Sequence, residues 1–341
     1  MNYFEIVPYA FKKFSVLRAL RTGVPTALYH AHRTSLPVSE KPALFTMNIM
    51  PPMMTVWYHL VQKNLGDRGD TTIFDCSGTL KKSQFPNARV QKYLNLYAAT
   101  KSDEFLYHIA KNRKIGWVCD DDMFILNSKA IDLVEQSLSK PNAATFSFRP
   151  RDWWHFNIDG KEYAPSSSYC IAFNREIYCD KEKLSLSPCE GNTNAVSHIG
   201  KPVSRYDTFD KANESLINKG YTCDILPVEK QGEYVIGYSG MSTAVMMIWH
   251  FRRPEQMIDY LEAPKAEAWK GNTLFTVLSG LLAIADLQDM HQKITGKPYN
   301  LRSMPTKKDL DRLRTKYEPL LREGKSFDTV SAVSEVLNAA L

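Results

Sequence analysis

The 341-residue sequence lacks long apolar runs, paired cysteines and a strong excess of charge of either sign. Its longest apolar stretch, residues 273–285, is too short to span a bilayer, so we expect a buried helix or a self-association face that makes a homo-oligomer. The six cysteines contain no Cys-x-x-Cys pair and no zinc-like spacing with histidine, which favours a reducing compartment. A net charge of +6 is too weak to indicate nucleic acid, although it suits an anionic substrate.

The first forty residues are expected to form a basic amphipathic arm. Between residues 3 and 33, apolar side chains are mixed with lysines and arginines, and Glu5 is the single acid. Because Glu5 and the pair Lys12 and Lys13 interrupt any apolar signal region, we expect a cytoplasmic protein. Such an arm can lie peripherally on the inner face of an anionic membrane, or it can pack as a helix on its own domain.

From residue 41 onward, apolar runs of strand length alternate with stretches of helical periodicity. The predicted strands are residues 43–49, 71–74, 115–119, 144–148, 169–173 and 223–226, with a hairpin over 153–163. The predicted helices are residues 53–64, 87–99, 102–112, 128–139 and 206–219, and residues beyond 254 read as helical. This alternation predicts an α/β fold with a mostly parallel sheet flanked by helices and a helical C-terminal extension. Ligands of such sheets bind at the carboxyl ends of the strands.

Three consecutive carboxylates, Asp120, Asp121 and Asp122, stand between two apolar runs, residues 115–119 and 123–126. Adjacent like charges at the edge of a core normally persist only where a cation neutralises them, and a divalent cation that prefers oxygen ligands is the usual partner. The alternative is a solvated acidic turn, but such turns are usually flanked by Gly, Ser or Pro rather than by large apolar residues. The triplet therefore favours a metal site.

Taken together, residues 42–250 resemble a nucleotide-sugar-dependent glycosyltransferase of the family-2-like type with the GT-A fold. In that family an Asp-x-Asp motif follows a strand and holds Mn²⁺ or Mg²⁺ against the diphosphate of the donor. The resemblance implies that Asp122 ligates the metal directly with Asp120 beside it, while Asp120 and Asp121 contact ribose, sugar or metal-bound water. It also implies four parts: an arm (1–40), a nucleotide-sugar-binding half (41–126), an acceptor-binding half (127–253) and a helical region (254–341).

The same resemblance assigns donor and metal contacts elsewhere in the chain. Asp75 takes the place of the acid that reaches the nucleoside, with Asn48 at the end of the preceding strand; an Asp that caps the next turn is the alternative. His250, read as following an apolar strand, would complete the metal shell, unless it is a core residue. Arg252 would pair with the diphosphate, or else begin a solvated segment.

The expected catalytic and acceptor residues come from the second half. Asp207 takes the position of the family's general base, before a helix that ends in Gly-aromatic. Because Tyr206 replaces the usual acid before it, Glu190 is a second candidate for the base, and Asp207 can instead be a helix cap. Trp153 and Trp154 would stack on an acceptor sugar, or else pack in the core.

The sequence thus predicts a metal-dependent glycosyltransferase of the hexosyltransferase type, acting with inversion. Its donor would be UDP- or GDP-linked, and its acceptor a hydroxyl of a glycan, a lipid-linked molecule or another compound. Two alternatives stay open. Residues 74–80 are close to the Asp-x-Asp-Gly-Thr-Leu motif of haloacid dehalogenase-like phosphatases, with Asp75 as nucleophile, although Ser77 replaces the general acid. The other alternative is a non-catalytic nucleotide-sugar-fold binding protein.

Overall fold

The computed structural model describes residues 16–95, 101, 103–152, 154–190, 195–197, 205–238, 240–263, 272–321 and 324–341. The strands are β1 (Ala43–Asn48), β2 (Asp70–Asp75), β3 (Ala88–Lys92), β4 (Ile115–Cys119), β5 (Met123–Ile125), β6 (Ala143–Ser147), β7 (Trp154–Ile158), β8 (Lys161–Tyr163), β9 (Cys170–Asn174), β10 (Cys189–Glu190), β11 (Ala195–Ser197), β12 (Arg205–Tyr206), β13 (Thr222–Ile225) and β14 (Val235–Gly237). The helices are α1 (Val16–His32), α2 (Pro51–Asn64), α3 (Glu104–Tyr107), α4 (Ala130–Leu138), α5 (Asp210–Asn218), α6 (Val228–Tyr234), α7 (Met241–His250), α8 (Pro254–Glu262), α9 (Asn272–Thr295), α10 (Lys307–Tyr317) and α11 (Asp328–Ala340).

A seven-stranded sheet forms the centre of the fold, in the order β3-β2-β1-β4-β9-β6-β13. All neighbouring pairs are parallel except those of β9, which runs antiparallel to both β4 and β6. Strands from residues 41–126 therefore occupy one side of the sheet, and strands from residues 127–253 occupy the other. The predicted fold class, an α/β fold with a mostly parallel sheet flanked by helices and a helical C-terminal extension, is confirmed.

The central strands form where the sequence is apolar on both faces. All six residues of β1 are buried, and four of the five in β4 are, as expected for parallel strands covered by helices on both sides. Pro51 and Pro52 open α2 in the first turn, where a missing backbone N–H costs nothing. The hairpin predicted at Asp159 and Gly160 is present, and both residues have positive φ, which two-residue turns require.

The C-terminal helices close one face of the molecule. Helix α9 packs against α2, α7, α10 and α11. The side chains of Val277, Leu278 and Leu281 in α9 are fully buried, so the apolar stretch over residues 273–285 is a core helix in the described residues. A self-association face there has no support from this arrangement. None of the helices that the structure describes is long and apolar enough to cross a membrane.

Two secondary-structure predictions were wrong. Residues 88–92 form the edge strand β3 rather than a helix, because pairing with β2 satisfies their backbone while only Ala88 is fully buried. The apolar residues before His250, which were read as a strand, belong to helix α7, because a continuous apolar run does not distinguish a buried strand from a buried helix. The helix predicted from residue 206 begins at Asp210, since Tyr206 belongs to β12.

The described part of the N-terminal arm is helix α1. Arg18 ties it to the sheet by donating to the carbonyls of Cys76 (2.8 Å) and Asn95 (3.0 Å). Leu20, Val24 and Leu28, one helical turn apart, are exposed. Residues 1–15 of the arm lie outside the described residues, and the membrane contact of the arm stays a prediction.

Gly237 sets how closely β14 approaches the turn of the acidic triplet. It pairs with Met123 in the short antiparallel ladder between β14 and β5, and a Cβ at this position would lie 2.6 Å from the backbone oxygen of Asp122. We therefore expect Gly237→Ala to cost about 1–3 kcal/mol of stability, since the backbone must separate to admit the methyl group. A lower midpoint of thermal unfolding measures this loss.

Gly232→Ala in α6 is the matched control, because its added Cβ would meet nothing within 4 Å. We expect this variant to gain up to about 1 kcal/mol, as alanine does over glycine in a helix. Equal thermal midpoints for the two variants would contradict the close approach at Gly237.

Candidate active site

The acidic triplet forms a tight turn between β4 and β5 at the carboxyl edge of the sheet. The N–H of Asp120 donates to the carbonyl of Tyr169 (2.7 Å), and the N–H of Met123 donates to the carbonyl of Asp120 (3.0 Å). On the other side, the N–H of Tyr238 donates to the carbonyl of Asp122 (3.1 Å). Backbone from β9 and β14 thus fixes the turn from two sides, unlike a loose solvated loop.

Lys101 is the cation that pairs with the triplet. Its ammonium lies 2.9 Å from Oδ1 and 3.1 Å from Oδ2 of Asp120, and its side chain is only 5% exposed. The pair leaves Asp121 and Asp122 without an opposite charge of their own among the described residues. One lysine therefore faces three carboxylates in a partly buried turn.

Burial raises the pKa of all three carboxyl groups. Desolvation is the largest cause in each case, and repulsion by a neighbouring member of the triplet adds to it for Asp121 and Asp122. The pKa of Asp122 is raised to about 7, and that of Asp121 well above its usual range. Lys101 opposes the shift at Asp120 and Asp122. The site is thus short of positive charge near neutral pH.

This donor set fits a hard divalent cation that is completed by a substrate. Oδ2 of Asp121 is buried and has no hydrogen-bond partner among the described residues. The described residues contain no group of three or more His, Cys, Asp and Glu side chains that would hold a metal by themselves. Mg²⁺ and similar ions are commonly held by one or two carboxylates together with phosphate oxygens and water. The triplet offers that partial shell.

Asp207 stands at the mouth of the same cleft, immediately before α5. Its side chain is 60% exposed, and the buried guanidinium of Arg151 lies 3.4 Å from its Oδ2. Arg151 also pairs with the buried Asp210 (3.0 Å), and the N–H of Thr208 donates to Oδ1 of Asp207 (2.7 Å). The carboxylate of Asp207 is therefore held by Arg151 and Thr208 and is still accessible from the cleft.

A strained residue supports this arrangement. Phe209 has φ of +73°, which is uncommon for a bulky residue and is retained only where the surroundings determine it. Its ring is fully buried near those of Phe173 and Tyr178. The buried ring of Phe209 fixes a sharp turn of the chain between Asp207 and α5, and the carboxylate of Asp207 then reaches the cleft.

The cleft has a volume of about 330 Å³. Its lining is mostly polar and joins the two halves of the sheet with the start of α7. The lining residues are Lys101, Asp120, Asp122, Met123, Arg149, Ser168, Tyr169, Pro188, Asp207, Thr208, Gly237, Tyr238, Gly240, Met241 and Ser242. The sequence-predicted residues Asp120, Asp122 and Asp207 therefore meet in one place, and Asp207 raises the pKa of Asp120 by its charge.

Asn48 and Asp75 lie together at the ends of β1 and β2, with 3.4 Å between Nδ2 of Asn48 and Oδ1 of Asp75. The carboxylate of Asp75 is fully buried and accepts from the N–H groups of Ser77, Gly78 and Leu80, each at 3.0 Å. In this structure Asp75 caps the loop after β2. A buried carboxylate with these partners is poorly placed to attack a phosphate, which disfavours the phosphatase alternative.

The other predicted residues lie apart from the lining of the cleft. His250 ends α7, about 13 Å along the helix from the lining residue Met241. Arg252 is exposed just beyond it. Glu190 is 83% exposed, 3.6 Å from Arg205 in the small β10–β12 ladder. Trp154 is fully buried against Phe156, so its ring has no open face for a sugar, and Trp153 lies outside the described residues.

The sequence reading did not identify Lys101, Arg149 or Arg151. Lys101 meets Asp120 across 19 positions, and Arg151 meets Asp207 across 56. No local pattern marks such long-range partners. A buried carboxylate cluster requires a nearby cation, but that requirement does not say which lysine or arginine supplies it.

No protein-family model matches the chain, and no curated protein sequence matches it. Among solved structures, 31 chains match. The mannosyltransferase PcManGT from Pyrobaculum calidifontis, in complex with GDP-Man and Mn²⁺, has 13% identity and a TM-score of 0.37, covering 98% of this chain and 97% of that chain. The apo structure of the bifunctional glycosyltransferase WbbM has 12% identity and a TM-score of 0.33, covering 58% of this chain and 41% of that chain.

Both of these neighbours are glycosyltransferases. At this level of similarity they assign no residue and no substrate to the chain, so the function is argued from the site.

The raised pKa of Asp122 predicts how the stability of the metal-free protein depends on pH. Because its pKa rises from 3.8 to about 7 on folding, the folded state holds a proton that the unfolded state has already lost in this range. Stability therefore falls as pH rises from about 4 to 7. We expect Asp122→Asn to unfold at a higher temperature than wild type at pH 8 without metal, with a smaller difference at pH 5.

Asp67→Asn, which neutralises an exposed carboxylate away from the cleft, should leave the pH profile of thermal unfolding nearly unchanged. An Asp122→Asn variant that is less stable than wild type at pH 8 would show that the triplet carries no excess charge.

Proposed function

We propose that the cleft is the active site of a glycosyltransferase that moves a sugar from a nucleoside-diphosphate donor to a hydroxyl acceptor, with a divalent metal ion. The observation that carries the proposal is the meeting of an under-neutralised acidic triplet with the accessible Asp207 in one cleft at the carboxyl edge of the sheet. An anionic metal site and a carboxylate base within one small cleft suit a reaction in which a diphosphate leaves and the base accepts a proton.

Asp122, with Asp120 beside it, would hold Mn²⁺ or Mg²⁺. Bound there, the ion would supply positive charge that stabilises the leaving nucleoside diphosphate. Lys101 holds Asp120 in place by contacting both of its oxygens, and it opposes the rise that burial causes in the pKa of Asp120. Water and the donor's own phosphate oxygens can complete the shell, so the proposal does not need His250.

The nucleoside of the donor, UDP- or GDP-linked, would lie over the ends of β1 and β2. These strands stand next to β4 in the sheet, so their carboxyl ends adjoin the triplet. In this arrangement Asp75 supports the loop after β2 through its hydrogen bonds to backbone N–H groups, and the fully buried Asn48 lies against Asp75. The acceptor would approach from the opposite side of β4, where the chain between β6 and α5 supplies Asp207.

Asp207 is proposed as the general base. Its exposed oxygen can accept the proton of an acceptor hydroxyl, while Thr208 and Arg151 fix the orientation of the carboxylate. Removal of this proton as the hydroxyl attacks the anomeric carbon would give inversion in a single displacement. Glu190 is a weaker candidate, because it is ion-paired with Arg205 and does not line the cleft.

The test is release of nucleoside diphosphate from a panel of UDP- and GDP-sugars with Mn²⁺ and simple sugar acceptors. Asp207→Asn should lower turnover by about 100- to 10,000-fold, the range that a general base contributes, while nucleoside-diphosphate affinity measured by calorimetry stays within about twofold.

Glu190→Gln is the matched variant and should retain turnover. The opposite pattern, with loss in Glu190→Gln and retention in Asp207→Asn, would move the base to Glu190. Tight nucleoside-diphosphate binding without turnover in wild type would instead favour a non-catalytic binding protein.

A further inference from the structure

The cationic side chains at the cleft are paired with carboxylates, with one exception. Lys101 is engaged by Asp120, and Arg151 is engaged by Asp207 and Asp210. Arg149 also lines the cleft, yet its side chain makes no ion pair or hydrogen bond in the part of the chain that the structure describes. A cation that faces a cleft without a protein partner is available to a ligand.

Arg149 is held by its backbone, so its position does not depend on its side chain. The hydroxyl of Ser147 donates to the carbonyl of Arg149 (2.7 Å), and the N–H of Ser167 donates to the same carbonyl (3.0 Å). Both serines are fully buried. The guanidinium therefore extends from a fixed point, which reduces the conformational entropy that a ligand must overcome.

Arg149 lies on the side of Asp207, because Arg151, two positions further along the chain, contacts Asp207 at 3.4 Å. Arg149 follows the end of β6, which is separated from β4 by β9, and is therefore about 10 Å from β4 across the sheet. Strands β1 and β2, where the nucleoside is proposed to lie, are on the other side of β4. The cations that lower the pKa of Asp120 are Lys101 and Arg151, and Lys101 also lowers that of Asp122. Arg149 is thus remote from the nucleoside side and near the proposed base.

We infer that the acceptor carries an oxyanion, a carboxylate or a phosphate, close to the hydroxyl that receives the sugar, and that Arg149 binds this group. The inference rests on the proposed function and names the class of its acceptor. A guanidinium presents parallel N–H donors that match two oxygens of a carboxylate or a phosphate. No bond to the oxyanion forms or breaks; Arg149 orients the acceptor so that its hydroxyl faces Asp207.

The experiment compares three acceptors that share one skeleton: methyl glucoside, methyl glucuronoside and methyl glucoside 6-phosphate. Transfer is followed by nucleoside-diphosphate release with saturating donor and Mn²⁺. For wild type we expect kcat/KM at least about tenfold higher with one of the anionic acceptors than with the neutral one, as a charge-assisted contact provides. Whichever anionic acceptor is preferred tells whether the bound group is a carboxylate or a phosphate.

Arg149→Gln should reduce this ratio to near one through the KM of the anionic acceptor, and Arg149→Lys should restore part of it. The donor KM and the affinity for nucleoside diphosphate should change by less than about twofold. Lys230→Gln, which removes an exposed cation on α6 outside the cleft, should keep the wild-type ratio.

Two results would overturn the inference alone. One is an equal or lower kcat/KM for both anionic acceptors in wild type. The other is an increase in donor KM and nucleoside-diphosphate dissociation constant in Arg149→Gln, which would assign the arginine to the donor. Absence of nucleoside-diphosphate binding by wild type is a separate result, since it overturns the proposed function as well.

Discussion

The structure depends on holding three adjacent carboxylates in a partly buried turn that is contacted by one lysine, Lys101. Desolvation and mutual repulsion both oppose the ionised state of Asp121 and Asp122. The turn is kept by backbone hydrogen bonds from Tyr169 and Tyr238, and by the absence of a side chain at Gly237. A protein gains nothing in stability from such a cluster. The unfavourable charge is understandable where a cation and an anionic substrate complete the site.

The strand order of the sheet places the acidic turn in the middle of a cleft, with strands on both sides of it. Strand β4 carries the triplet at its carboxyl end, with β1 and β2 on one side and β9 and β6 on the other. The loop before α5 then brings Asp207 to the same edge, fixed by Arg151 and by the strained turn at Phe209. In the proposed function, donor and acceptor would approach the acidic turn from opposite sides of β4, which is the geometry that a single displacement requires.

The elements that were predicted well from the sequence are those determined by residues that are neighbours along the chain. Strands β1 and β4 are largely apolar runs with clear ends, and β2 is a short run of Thr, Ile and Phe between two aspartates. The carboxylates at the end of β4 stand out because the residues on either side of them are apolar. Helix α7 was misread, because its continuous apolar run, residues 244–249, suits either a strand or a helix. Edge strand β3 was misread, because its pairing with β2 is a long-range contact.

The candidate site divides in the same way. Asp120, Asp122 and Asp207 were predicted and lie together in one cleft. The side chain of Trp154 is instead buried in a small cluster beside the sheet, and Lys101, Arg149 and Arg151 were not predicted. Which cation meets which carboxylate depends on strand order, and strand order is not readable from spacing along the chain.

The most direct test of the central claim is the position of Mn²⁺ in crystals grown with UDP or GDP, located by anomalous scattering. The account predicts a peak at about 2.1 Å from a carboxylate oxygen of Asp122, with the diphosphate on its other side, and no such peak in Asp122→Asn. Nucleoside diphosphate bound in the cleft with Mn²⁺ located away from the triplet, or unaffected by Asp122→Asn, would contradict it.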